Sequence, residues 1–182
     1  MHYIDLPDFV HELVALRPLS RADAAAWYAY LTMPHVLDHT SWDLRSMDDL
    51  MQKFDALESL DPASEIRLAI VRRDSGALVG TIGFHSISLP HKTVEIAYDL
   101  APAVWGKGIA PAACNAVAEW GFSYLGAVRV QATVLDSNTR SVRVLEKCGF
   151  QCEGLLRSFR MVRGHPRNFW IYSRLDPRVA VA

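Results

Sequence analysis

Two glycines stand close together in a segment that has the residue types needed to bind a phosphate group. The segment runs Trp105-Gly106-Lys107-Gly108-Ile109-Ala110-Pro111 and lies between a predicted strand and a predicted helix. Glycine lets backbone N–H groups turn toward a ligand without an obstructing Cβ atom, and the start of a helix presents unpaired N–H groups and the positive end of its dipole. The pattern predicts a pyrophosphate cradle, although a glycine pair by itself is also typical of a plain turn.

Two other phosphate-binding motifs are excluded by the residues. A Walker loop requires Gly-x-x-x-x-Gly-Lys followed by Ser or Thr, and no such run occurs in the chain. A dinucleotide fingerprint requires three glycines and an acidic residue about 20 positions later at a strand end. Leu125 and Gly126 occupy that neighbourhood, so the glycine loop needs a different interpretation.

A second pattern, one predicted strand further along, supplies that interpretation. The run from Asn138 to Ser141 is followed by Leu145-Glu146-Lys147-Cys148-Gly149-Phe150. Together with the glycine loop, this run resembles the GCN5-related N-acetyltransferase (GNAT) superfamily. The segments 13–18, 95–100 and 153–157 resemble the branch that acts on the N-termini of ribosomal proteins, the Rim type. The resemblance covers roughly residues 12–175.

The resemblance implies an acetyl-coenzyme A-dependent N-acetyltransferase in which a primary amine attacks the thioester directly. The acceptor would be a ribosomal or other protein N-terminus or a small-molecule amine. The implied fold is mixed α/β, with a mostly antiparallel sheet, flanking helices and a splayed strand at the cofactor cleft. The implied cofactor-binding residues are Leu100 for the pantetheine arm, Gly106, Lys107, Gly108, Ile109 and Ala110 for the pyrophosphate, and Asn138.

Glu95 is the first candidate for catalysis. It lies in a predicted strand between Val94 and Ile96, so its carboxylate faces either solvent or a cleft, where burial would raise its pKa. The residues alone favour exposure, whereas the resemblance favours a base that deprotonates the amine through water. His85 and Tyr98 are the alternative acid–base groups.

Ser141 is the second candidate, because Leu145 stands where many family members carry a tyrosine acid. By resemblance the Ser141 hydroxyl would assist the leaving thiolate, and the alternative is a helix serine with no role. Asn138 either caps its helix or contacts the cofactor arm as well, and Lys107 either adds charge at the phosphates or faces solvent. Further upstream, the polar segment 35–45 would line the acceptor cleft through His35, His39 and Trp42.

The composition excludes several classes of protein. Of the 182 residues, 51% are apolar and 21% are charged, which is enough for a packed core. The apolar runs are too short to span a membrane, and Met1 to Asp8 does not look like a signal peptide. The chain has three cysteines and no His/Cys cluster, which predicts neither a disulfide framework nor a metal site. We therefore expect a cytoplasmic protein without a metal, with a homodimer left open.

Charge is distributed unevenly along the chain. Residues 1–61 carry four basic residues against eleven acidic ones, and residues 126–182 carry ten basic against four acidic. Either the two ends bind partners of opposite charge, or they neutralise each other across the fold. The arginines at 157–167 alternate with apolar residues, which favours a solvated strand face over a nucleic-acid surface. A non-catalytic acyl-coenzyme A-binding module and an RNA-associated accessory protein remain the alternatives.

The elements that must position these residues can be read from periodicity and turn signals. Helices are predicted at 20–32, 46–60, 111–125 and 138–148, and strands at 12–18, 65–72, 77–88, 93–100, 127–135, 150–162 and 168–175. The short loops between the second, third and fourth strands predict an antiparallel meander. We expect a single N-acetyltransferase domain over residues 1–182, with its core at about 12–175.

Overall fold

Seven strands form the sheet of the computed structural model, which describes residues 5–42, 44–59 and 61–179. The strands are β1 (Val14–Pro18), β2 (Ile66–Arg72), β3 (Leu78–Ser88), β4 (Thr93–Leu100), β5 (Arg129–Leu135), β6 (Gln151–Val162) and β7 (His165–Leu175). The helices are α1 (Ala24–Leu31), α2 (Pro34–Leu37), α3 (Met47–Leu57), α4 (Ile109–Ser123) and α5 (Thr139–Lys147), with single 3-10 turns at Arg21–Asp23 and Pro102–Val104.

The sheet has the order β1-β2-β3-β4-β5-β7-β6 and is antiparallel except between β4 and β5. The predicted mixed α/β class and the β2-β3-β4 meander are thus confirmed. The parallel pairing of β4 with β5 extends only from Thr93 to Glu95, opposite Arg129 to Gln131. Beyond Glu95 the two strands diverge, and this gap in the middle of the sheet positions the functional site.

Two helix starts explain how the chain reaches the gap. Helix α3 begins with a capping box, in which the Ser46 hydroxyl accepts from the backbone N–H of Asp49. Helix α4 begins at Ile109, two residues before the predicted start at Pro111. The reason is that Gly108 takes a left-handed conformation and serves as the N-cap, so that Pro111 falls in the first turn, where its missing N–H has no intrahelical partner to lose.

The two faces of the sheet carry different cores. The larger core packs α4 and α5 against the strands and includes the buried side chains of Phe84, Val117 and Val130. A smaller core joins α1 to α3 through Trp27 and Phe54, whose rings meet edge to face at 5.7 Å. Trp27 is fully buried. In the described part of the chain, no helix is long and apolar enough to cross a membrane.

Candidate active site

The gap between β4 and β5 leaves backbone groups of β4 without a strand partner on one side. The Ala101 N–H donates to the Val79 carbonyl at 2.8 Å, so the backbone hydrogen-bonding groups of Ala101 face β3. Hydrogen bonding alternates in direction along an antiparallel strand, and therefore Tyr98 and Leu100 direct theirs into the gap. A cleft of about 590 Å³ opens along this edge.

The floor of this first cleft is the glycine loop and the start of α4. Gly106 and Gly108 have φ angles of 77° and 75°, and a Cβ atom at either position would meet nothing within 4 Å. Within the described residues, none of the N–H groups from Gly106 to Ala110 donates to a backbone carbonyl. A row of unpaired N–H groups at a helix N-terminus, with open space in front of it, is suited to a pyrophosphate.

Basic side chains surround the same cleft. Arg140, Arg143 and Lys147 line it from α5, and Lys107 lines it from the loop. The Arg140 guanidinium stacks 4.5 Å above the Trp105 ring, and the Trp105 indole N–H donates to the Leu100 carbonyl at 2.8 Å. Trp105 thereby joins the loop to β4 and α5. The positive charges match the phosphates of a nucleotide-bearing ligand.

A second, smaller cleft of about 170 Å³ lies next to the first, above the other side of the gap. Its wall includes side chains from α1, α3, β2, β3, β4, β5, β6 and the loop before α3. The two clefts meet, because the following residues line both of them: His39, Thr40, Tyr98, Asp99, Asn138 and Ser141. This set is called the junction below.

Asp99 is the most completely bonded side chain of the junction. Arg67 and Thr81 donate to its Oδ2 at 2.5 and 2.7 Å, while the Trp27 indole donates to its Oδ1 at 3.2 Å and the Tyr30 hydroxyl donates to the same oxygen. Burial, followed by the charge of Asp99, raises the pKa of Tyr30 well above its ordinary value, so this hydroxyl stays a donor. The network ties α1 to three strands and fixes one wall of the second cleft.

The same network holds Trp42 at the mouth of the second cleft. The Arg67 guanidinium lies 5.7 Å from the Trp27 ring centroid and 5.8 Å from that of Trp42. The Lys53 ammonium lies 5.7 Å from the Trp42 ring and is paired with Glu65. Cations at these distances attract the ring face, so the predicted polar segment is ordered at Trp42 by charges from two elements.

Glu95 is buried, with only 8% of its surface exposed, at the point where β4 and β5 part. Its Oε1 accepts from the Thr133 hydroxyl at 2.6 Å and lies 3.3 Å from His85 Nε2 and 3.5 Å from Arg160, and its Oε2 accepts from Gln131 at 3.2 Å. Burial acts to raise the pKa of Glu95, but the bonds from His85 and Thr133 outweigh it and lower the pKa to about 2. Of the two alternatives for Glu95, the structure shows burial and not exposure, but the raised pKa that was expected to accompany burial is wrong.

Glu95 also stands one layer back from the second cleft. His85 and Thr133 line that cleft, whereas the Glu95 carboxylate does not. The His85 side chain is 27% exposed, and its Nδ1 has no hydrogen-bond partner among the described residues. The imidazole therefore lines the cleft and connects it to the Glu95 carboxylate, 3.3 Å from His85 Nε2.

Three further junction residues lie where both clefts meet. Asn138 caps α5, its Oδ1 accepting from the Ser141 N–H at 3.1 Å, and its Nδ2 donates to the His39 carbonyl at 3.2 Å. The Ser141 hydroxyl makes no hydrogen bond to another described residue, and the Tyr98 hydroxyl donates to the Ser141 carbonyl at 3.3 Å. Burial raises the pKa of Tyr98 well above its ordinary value. The Leu145 side chain is fully buried below them.

Comparison with known proteins identifies the family to which this site belongs. Residues 14–151 match the acetyltransferase (GNAT) domain family. The chain is 35% identical over 167 residues to the uncharacterized N-acetyltransferase YoaA of Bacillus subtilis (strain 168), a match that covers 90% of this chain and 93% of the relative. The chain belongs to the GNAT acetyltransferase family.

Two solved structures share the fold of this GNAT acetyltransferase. The ribosomal-protein-S5-alanine acetyltransferase from Vibrio fischeri superimposes with a TM-score of 0.80 at 22% identity, covering 96% of this chain and 98% of that one. The spermidine N-acetyltransferase from Vibrio cholerae, in complex with CoA and spermine, superimposes with a TM-score of 0.78 at 23% identity, covering 89% and 95%. The predicted family and the predicted class of enzyme, an N-acetyltransferase, are confirmed.

The acetyltransferase brings the predicted cofactor-binding residues together in the first cleft. Leu100, Gly106, Lys107, Gly108, Ile109, Ala110 and Asn138 all line it. Of the predicted catalytic residues, Ser141 lies at the junction and Glu95 lies behind the wall of the second cleft. Trp42 and His39 line the second cleft as expected, but the His35 ring packs edge-on against Trp105 at 5.7 Å and lines neither cleft.

The sequence-based prediction missed two groups of residues that line the clefts. The basic side chains of Arg140, Arg143 and Lys147 are spaced three and four apart, which places them on one helix face, and this periodicity together with the basic charge of the last third was a usable signal. The pairing of Asp99 with Arg67 left no such signal, because the two residues are 32 positions apart and meet only through the strand register.

Proposed function

We propose that this GNAT protein transfers an acetyl group from acetyl-coenzyme A to a primary amine by direct attack of the amine. The observation that carries the proposal is the meeting of the two clefts at the gap between β4 and β5. One cleft has the N–H groups and charges suited to a pyrophosphate, and the other has a buried acid–base cluster. A donor and an acceptor held in the two clefts would have their reacting groups side by side at the junction.

The residues of the first cleft fit coenzyme A. The N–H groups of Gly106 to Ala110 would bind the pyrophosphate, and the edge of β4 at Tyr98 and Leu100 would pair with the amide-bearing arm. Arg143 and Lys147 would supply positive charge for the phosphate group of coenzyme A that is not part of the pyrophosphate. When bound, acetyl-coenzyme A supplies the activated acetyl thioester.

The acceptor ammonium must lose a proton before it can attack. We assign this proton to His85, with Glu95 as the positioning residue behind it. A carboxylate with a pKa of about 2 is a weak base near neutral pH, whereas an imidazole is well matched to that range. Glu95 Oε1 lies 3.3 Å from His85 Nε2 and would hold the imidazole in position at the cleft. This assignment revises the prediction that Glu95 acts on the amine through water.

Ser141 keeps its predicted role beside the leaving group. Its hydroxyl is unengaged among the described residues and lines both clefts, so it can donate to the sulfur as negative charge develops. A free thiol has a pKa of about 8.5, so a thiolate leaves without a strong acid. We therefore propose that Ser141 solvates the thiolate, with the protonated Tyr98 hydroxyl close by.

The test of the coenzyme A site changes the backbone of the loop and compares it with an identical change elsewhere. Gly108→Ala puts a Cβ into the space in front of the N–H groups, and Gly76→Ala puts one into open space at the β2–β3 turn. The two glycines have φ angles of 75° and 68°, so the two variants carry similar backbone strain. We expect at least a tenfold rise in the Kd for acetyl-coenzyme A in Gly108→Ala alone, about 1.4 kcal/mol. Equal affinity in the two folded variants would contradict the site.

A further inference from the structure

Arg160 lines the second cleft, and its guanidinium makes no hydrogen bond to a described residue. Its guanidinium lies over the rings of Phe159 at 4.9 Å and Phe169 at 5.5 Å, and its side chain is 36% exposed. The Glu95 oxygen at 3.5 Å forms an ion pair with it, but Arg160 donates no hydrogen bond to any described residue. Among the described residues, the guanidinium therefore keeps N–H donors that make no hydrogen bond, and it lines the cleft.

The other charges of this cleft are already satisfied. Arg67 is bonded to Asp99 and Thr81, and Lys53 is paired with Glu65. Among the described residues that line the cleft, Asp99 is the one carboxylate, and four donors occupy its two oxygens. Within the part of the chain that the structure describes, the cleft thus has an open site for an anion and no open carboxylate for an additional cation.

We infer that the acceptor is a small amine that carries a carboxylate or similar acidic group close to the amine, as an amino acid does, and that Arg160 binds the acidic group. This inference rests on the proposed function and names its substrate class. His85 and Arg160 both lie within 3.5 Å of the same oxygen, Glu95 Oε1. The amine and the acidic group would therefore be held side by side, which suits a separation of a few bonds.

Arginine is well suited to this task because its planar fork binds a carboxylate through two parallel hydrogen bonds. The two phenyl rings fix the guanidinium in place before binding, so less side-chain freedom is lost when the acceptor binds. A polyamine has the opposite requirement, since each ammonium beyond the reacting one needs an anionic or carbonyl partner. We therefore expect spermidine to be a poor acceptor for this protein.

The test uses acceptor pairs that differ only in the acidic group. Glycine, alanine and β-alanine are each compared with the corresponding amide, with spermidine added, and thiol release from acetyl-coenzyme A is measured. We expect kcat/KM to be at least tenfold higher for an acid than for its amide. The amide has the less basic amine and more of it is neutral at pH 7.5, so amine basicity alone would favour the amide.

The variants locate the effect. Arg160→Gln should bring the ratio of acid to amide close to one, whereas Arg157→Gln, which removes the same charge from the same strand outside the cleft, should leave the ratio unchanged. Taking the ratio cancels any general effect of the variant on catalysis or folding. A preference for amides or spermidine, or a ratio that survives in Arg160→Gln, would overturn the inference.

Binding separates this inference from the proposed function. Calorimetry with the same acids and amides, without acetyl-coenzyme A, should give tighter binding of the acids to the wild-type protein and not to Arg160→Gln. That result, with no thiol released for any amine, would support the anion site and reject catalysis. Equal binding of acid and amide, with thiol released, would support catalysis and reject the anion site.

Discussion

The two clefts of this GNAT protein are built in different ways. The first cleft, proposed as the cofactor cleft, has a volume of about 590 Å³ and is formed largely by two short stretches of chain, 98–111 and 138–147. The groups proposed to bind the cofactor there are mainly backbone N–H and C=O groups. The second cleft, proposed as the acceptor cleft, has a volume of about 170 Å³ and is lined by residues from ten separate parts of the fold. The first depends on local conformation, and the second depends on the register of the whole sheet.

This difference determines how the two regions should respond to substitution. A backbone site tolerates many side chains and fails when the main chain is blocked, as in Gly108→Ala. A site made of buried ion pairs fails when one partner is removed, because the remaining charge is left without compensation. The acceptor cleft should therefore show the larger effects of single side-chain changes, on stability as well as on turnover.

The largest expected effect is on the network around Asp99. The Arg67 side chain is only 4% exposed, and Asp99→Leu removes its ion-pair partner. We therefore expect a loss of about 3–5 kcal/mol in the free energy of unfolding. Urea denaturation measures this loss. The double variant Asp99→Leu with Arg67→Met removes both charges and should recover much of it. A cost below about 1 kcal/mol for the single variant, the usual range for an exposed pair, would mean that the network does not hold the cleft.

The next effect concerns the proton path. General acid–base groups contribute about 10²–10⁴-fold, so His85→Gln should lower kcat within that range at pH 7. Glu95→Gln should lower kcat less, because the imidazole remains in place and loses only the carboxylate oxygen that lies 3.3 Å from it.

Stability against pH provides the control for that experiment. The pKa of Glu95 is lowered from about 4.5 to about 2 in the folded protein, so its ionised form stabilises the fold above pH 4.5 by about 3 kcal/mol, and this stabilisation is lost as the pH falls toward 2. Glu95→Gln should lack this loss. If both His85→Gln and Glu95→Gln keep the kcat of the wild-type protein from pH 6 to 9, the base lies elsewhere. Tyr98 would then be the next residue to change.

The smallest effect is expected where the two clefts meet. Ser141→Ala should lower kcat on the order of tenfold, or about 1.4 kcal/mol, because the thiolate is a fair leaving group without help. The Kd for acetyl-coenzyme A should hardly change, since the backbone N–H of Ser141 still donates to Asn138. Pre-steady-state thiol release measures the chemical step. A loss above a thousandfold would make Ser141 an essential acid.

The sequence was most informative where structure is local. The meander of β2, β3 and β4, the capping box at Ser46 and the cap at Asn138 all follow from residues close to one another in the chain. The residues predicted to bind the cofactor line one cleft for the same reason, because the glycine loop and its helix form one continuous stretch. The start of α4 was misplaced by two residues because the left-handed Gly108 caps the helix ahead of Pro111.

The contacts around the second cleft could not be predicted from neighbouring residues in this way. Whether Glu95 is exposed or buried depends on where β4 and β5 part, and the sequence of either strand does not contain that information. Its low pKa depends on Thr133, Gln131 and His85, which come from two other strands. The buried Asp99–Arg67 pair and the fixed Trp42 likewise require the assembled sheet.

The central claim is that the two clefts serve one reaction, and a product assay tests it most directly. The wild-type protein is incubated with acetyl-coenzyme A and a panel of amino acids, their amides, peptides and polyamines, and products are identified by mass spectrometry while thiol release is followed. We predict N-acetylated product and free thiol in equal amounts, with both reduced at least a hundredfold in His85→Gln. Binding of acetyl-coenzyme A without product from any amine would contradict the claim and leave a coenzyme A-binding module.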